Sequence, residues 1–116
     1  MLIKESKLRY EFHINYEELT SIKNFIQGAV YCWIKNRKDE IFAARDLFGG
    51  DNYDWNGTPL IALYNKHINQ GKNENSAVDE AGKDVGWILK LVLYEDQRLF
   101  DTCDAGMARG YKWLPR

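Results

Sequence analysis

Apolar and polar residues alternate over residues 8–14, with Leu8, Tyr10, Phe12 and Ile14 on one side and Arg9, Glu11 and His13 on the other. A period of two predicts a half-buried β-strand. The period then lengthens to that of a helix. Over residues 16–36, Leu19, Ile22, Ile26, Ala29, Val30 and Trp33 share one face at 100° per residue, with Phe25 and Ile34 at its margins. Ser21, Asn24, Gly28 and Lys35 take the opposite face. Asn15 followed by Glu18 makes a capping box at the start of this helix, and Ile14 and Leu19 supply a hydrophobic staple. Lys35, Arg37 and Lys38 bring positive charge to its C-terminal end, which suits the helix dipole.

Further along, Ile41 and Phe42 suggest a short strand, and residues 43–48 a one- or two-turn helix closed by Gly49 and Gly50. Residues 51–57 are dense in turn formers. Thr58 and Pro59 open the next helix, since proline in a first turn gives up an N–H that has no partner there anyway. That helix runs to about Gln70 and stops at Gly71. Ser76 is then a cap for a short helix over 77–81, which Gly82 terminates, and a second helix follows over 84–94. Two strands, 98–102 and 109–114, flank a turn at Asp104, Ala105 and Gly106.

This alternation gives an α+β, helix-dominated domain of 116 residues, with residues 1–50 packed on 58–114. The hydrophobic share of 45% argues against disorder, and the longest apolar run is too short for a membrane span. The N-terminus has no secretory apolar stretch, and two distant cysteines, Cys32 and Cys103, make no disulfide framework; a reducing, cytoplasmic setting is expected. Net charge is −1, which is neither the basic surplus of a dedicated DNA binder nor the acidic excess of a DNA mimic. Any electrostatic recognition must therefore be local.

The order helix, short helix, tight turn, helix, hairpin from Thr58 onward resembles a winged-helix (winged helix-turn-helix) domain over the last 60 or so residues. The resemblance rests on element order and length. It implies that residues 84–94 form the recognition helix and the hairpin the wing. On that reading Lys90, Arg98, Arg109 and Lys112 meet phosphates, with Asn65, Lys66 and Asn69 of the preceding helix as a second set. The recognition helix itself offers little beyond Lys90 with which to read bases, because Gly86, Trp87, Leu93 and Tyr94 share its outer faces. Asn65, Lys66 and Asn69 also fit an ordinary solvated helix face.

Chemistry-bearing motifs are scarce. His13, His67 and the cysteines lack metal-ligand spacing, and no phosphate loop, nucleophile elbow or Cys-x-x-Cys is present. His67 falls near the Leu60/Leu63 stripe and reads as a satisfied, partly buried histidine; Cys32 reads as packing. Asp79, Glu80 and Asp84 read as helix-start and surface charges. No enzyme, cofactor or metal is expected. The leading expectation is a small nucleic-acid-binding regulator, with dimerisation through the N-terminal helix as an option. The alternative is a phage- or plasmid-type inhibitor that binds a host nuclease or defence protein, with Tyr53, Trp55 and Trp87 as aromatic anchors.

Overall fold

A computed structural model describes residues 1–4, 7–49, 54–105 and 108–115. The elements are α1 (Tyr16–Asn36), α2 (Ala44–Phe48), α3 (Ile61–Asn69), α4 (Glu74–Glu95), β1 (Leu99–Ala105) and β2 (Ala108–Leu114). Helix α1 starts where the sequence places it. The Asn15 side chain accepts from Glu18 N–H at 2.7 Å, and Glu18 Oε1 accepts from Asn15 N–H at 3.2 Å. Ile22, Ile26, Val30 and Ile34 form its buried edge.

Before α3, Ile61, Ala62 and Leu63 donate to Thr58, Pro59 and Leu60, so the chain enters the helix through i→i+3 bonds at the predicted Thr-Pro start. Gly71, at φ 91, closes the far end in the left-handed region that a Cβ disfavours.

Two expectations are corrected. The helix-turn-helix split at Gly82 is absent: residues 74–95 form one helix of 22 residues, capped by Asn73, whose side chain accepts from Ser76 N–H. Ser76 is not the cap. A glycine within a helix costs about 1 kcal/mol. The stripe Ala77, Ala81, Val85, Ile88, Leu89 and Val92 buries on both sides of Gly82 and outweighs that cost. The second correction concerns residues 8–14, which form no strand. Phe12 is buried, yet Tyr10 of the same alternating set is 60% exposed.

The hairpin β1–β2 is antiparallel, with Phe100 opposite Trp113 and Thr102 opposite Tyr111. Its turn lies outside the described residues. Single bridges extend both edges: Leu2 pairs parallel to Phe100, and Phe42 pairs antiparallel to Tyr111. Phe42 is thus the predicted short strand reduced to one residue, with N–H and C=O both bonded to Tyr111 at 2.8 and 2.7 Å. Its ring lies 5.9 Å from Trp33, 6.2 Å from Phe100 and 6.1 Å from Tyr111. One core cluster joins Phe12, α1, Phe42, α3, α4 and the hairpin.

Candidate functional site

The polar centre of the molecule is Asp84, in the middle of α4 and almost wholly buried. Its position follows from sequence phase, because it lies on the same stripe as Ala81, Val85 and Ile88. Three groups surround the carboxylate: Arg9 Nη1 at 3.0 Å on Oδ1, and Lys66 Nζ at 2.9 Å and His67 Nε2 at 2.8 Å on Oδ2. Behind the imidazole, Lys72 Nζ lies 2.6 Å from His67 Nδ1. An ammonium only donates, so Nδ1 accepts and the ring proton sits on Nε2, facing Asp84. Burial pushes the Asp84 carboxyl up. The hydrogen bonds from Lys66 and His67, with the charges of Lys66 and Arg9, outweigh it and hold the group below the ordinary carboxylate value. Asp84 is therefore a structural counter-ion, and the surface role expected of it is corrected.

Residues 7–12 cross this centre as a strap. The Lys90 ammonium donates to the Lys7 carbonyl, the Lys66 ammonium to the Phe12 carbonyl, and the Arg9 guanidinium lies 4.6 Å over the Phe12 ring. Lys7 meets Lys90 and Arg9 meets Asp84, so the strap runs against the direction of α4. Among the described residues, no backbone–backbone hydrogen bond ties residues 7–12 to another element.

Of the residues expected to meet phosphate, Lys66, Lys90 and Arg98 are engaged internally. Lys90 is 5% exposed and Lys66 sits against Asp84, so neither is presented to solvent as the winged-helix resemblance implies. Arg98 stacks over the Tyr31 ring at 3.9 Å. On the hairpin, Arg109 stands opposite Asp104 and Lys112 opposite Asp101, so each wing cation has an acid as its cross-strand partner. Asn65 and Asn69 are exposed on α3.

The aromatic anchors fare similarly. Trp55 is buried, with Nε1 donating to the Phe48 carbonyl at 3.2 Å, so it is a lid on the core and not an outward anchor. Trp87 packs against the core, with Lys90 Nζ 5.3 Å from its ring. Tyr53 lies outside the described residues.

Exposed apolar side chains lie elsewhere, at Met1, Ile3, Tyr10 and Ile41 and, on α1, at Tyr16, Phe25 and Tyr31. Phe25, Gly28, Tyr31 and Cys32 share the outer face of α1, Tyr31 is 43% exposed, and a Cβ on Gly28 would meet nothing within 4 Å. Tyr16, at the start of the same helix, is 82% exposed. Cys32 is exposed, contrary to the packing role expected of it. The sequence signal for this face was Phe25 at the margin of the apolar stripe and Tyr31 outside it.

Among the described residues, no group of His, Cys, Asp and Glu side chains is arranged to hold a metal, and no helix is long and apolar enough to cross a membrane. Compared with known proteins, the chain matches no protein family, curated protein or solved structure.

Proposed function

We propose that this chain is a non-enzymatic binding module that docks on another protein through the outer face of α1. On this reading it serves as a phage- or plasmid-type inhibitor of a host nuclease or defence protein. The observation that carries the reading is a contrast. Lys66, Lys90 and Arg98 are engaged by internal partners, whereas α1 presents Phe25 and Tyr31 around the open position of Gly28. Aromatic side chains beside a residue without a side chain give a shallow receptive relief, the kind of surface that supplies interface hot spots. The test is affinity capture from the native host with the wild type and a Phe25→Ala/Tyr31→Ala variant of verified melting temperature. A partner that is retained in high salt and lost with the variant is expected. The reading fails if both proteins capture the same partner equally.

A nucleic-acid partner is the second reading, favoured by Asn65 and Asn69, exposed on α3 on either side of Lys66 in sequence. Its signature is duplex binding that weakens steeply as salt rises.

A further inference from the structure

We propose that Lys72 is a reactive lysine, a modification site that takes up small activated acyl groups of the thioester class, with His67 as the base that activates it. The site is independent of the α1 face. Its geometry is a chain of three groups. Asp84 Oδ2 lies 2.8 Å from His67 Nε2, and His67 Nδ1 lies 2.6 Å from Lys72 Nζ. A nucleophile within hydrogen-bond reach of a base, which is itself oriented by a third group, is the arrangement that activates side chains for attack on a carbonyl.

The backbone builds this contact. Gly71 turns the chain at φ 91 and Lys72 N–H donates to the His67 carbonyl at 3.2 Å, which returns the Lys72 side chain to the end of α3. His67 is buried, whereas Lys72 is half-buried between the exposed Gly71 and Asn73. Its ammonium also donates to Oε1 of the exposed Gln70 at 3.3 Å, so an acyl donor reaches Nζ from that side. Other lysines face acids: Lys4 faces Asp101, Lys23 faces Glu95, and Lys83 faces both Asp79 and Glu80. Glu80 and Asp79 hold Lys83 protonated to a higher pH than an ordinary lysine. Lys72 faces the lone pair of a base instead.

An ammonium is not a nucleophile until it gives up a proton. His67 Nδ1 takes that proton, and the imidazolium so formed keeps its Nε2–H on the Asp84 carboxylate. Arg9 and Lys66 share the same carboxylate, so the added positive charge is passed on to solvent and not retained. Lys72 Nζ bonds to the carbonyl carbon of the thioester, the C–S bond breaks, and a second Nζ proton goes to the departing thiolate. The products are an amide on Lys72, a free thiol and one proton in solvent. The step occurs once per chain, without turnover.

The test is the initial rate of acetylation at each lysine, read by peptide mass spectrometry after incubating the whole chain with acetyl coenzyme A at neutral pH. Lys38, exposed after α1, is the reference. Lys72 should react at least about tenfold faster than Lys38, below the roughly 10²-fold or more of a positioned general base because the donor is not held in place. Lys83 should react more slowly than Lys38. His67→Gln separates a base from a packing group, since an amide donates and accepts hydrogen bonds but takes up no proton. In that variant Lys72 should fall to the rate of Lys38, with Lys38 itself unchanged. The wild type unfolded in guanidinium chloride supplies a comparison that needs no variant to fold, and there the advantage of Lys72 should vanish. Equal rates at Lys72 and Lys38 in the folded wild type overturn the proposal. So does an advantage that persists in the unfolded chain or in a folded His67→Gln.

Discussion

Asp84 is the residue on which the interior depends most. A buried carboxylate held by Arg9, Lys66 and His67 adds little net stability compared with an apolar core, but removing it leaves its cations without a counter-charge. Asp84→Asn is expected to lower unfolding free energy by roughly 3–5 kcal/mol, the usual cost of breaking a buried pair. Urea titration at neutral pH measures this. Its pH dependence has a definite sign. The folded carboxyl titrates below the ordinary value of 3.8, so its contribution is complete above that pH and is lost as pH falls through the folded value. The acid limb of the wild-type stability curve should flatten in Asp84→Asn. Tyr111 gives the opposite case at high pH. Burial pushes its phenol from 10.0 up to about 12, against a smaller opposing effect of Arg109. Its neutral form is favoured in the folded state, so stability is unaffected below pH 10 and declines between 10 and 12. The full decline is about 3 kcal/mol, on the order of two pKa units. Tyr111→Phe should abolish this alkaline limb, as followed by circular dichroism against pH.

Among the elements, α4 decides how the C-terminal half is built. As one helix it carries Ala77 to Leu93 along the core, with no turn near Gly82 to set residues 84–94 apart as a helix of their own. Gly86 lies within it, and a Cβ there meets nothing within 4 Å. Gly86→Ala should therefore stabilise the protein by up to about 1 kcal/mol, seen as a raised urea midpoint with unchanged slope. A fall in stability would show that this stretch is not regular helix. The elements differ in how far the sequence disclosed them. Helix α1 was fully legible, because its capping box and apolar stripe are local signals that tertiary packing reinforces. The hairpin was legible from its two β-rich runs. The join across Gly82 was not, since a propensity cost is visible in sequence and the burial that outweighs it is not. The strap was misread for a related reason. Alternation at Leu8, Tyr10, Phe12 and Ile14 is the mark of a strand, but a strand also needs a neighbour, which no local pattern supplies. Lys90 and Lys66 were read as surface cations because their partners are backbone carbonyls, which leave no trace in the sequence. The phase of His67 on the α3 stripe did announce its burial, and the same reasoning applied to Asp84 would have found the polar centre.

At the scale of the whole molecule, Phe42 connects regions far apart in the chain. It bridges β2 through its backbone, and its ring meets Trp33 of α1, Phe100 of β1 and Tyr111 of β2. Two edge-bridged strands make a marginal sheet alone, so the hairpin's order comes from its packing into the core, on α1 through this aromatic group. That makes the fold's cooperativity testable with one side chain. Phe42→Ala removes a fully buried ring and should cost roughly 3–5 kcal/mol. If the core is a single unit, the loss appears everywhere: amides in the interior of α1, in α4 and in β2 lose hydrogen-exchange protection by the same factor, and unfolding followed by tryptophan fluorescence and by far-UV circular dichroism stays coincident. If only β1 and β2 lose protection while α4 keeps it, the hairpin is an appendage, and the cluster joining it to α1 and α4 does not govern stability. The expected result is the first, because Leu2, Phe42, Phe100 and Tyr111 belong to the same buried cluster as Ile26, Val30, Ile88 and Leu89, and no apolar boundary divides the hairpin's core face from that of the helices.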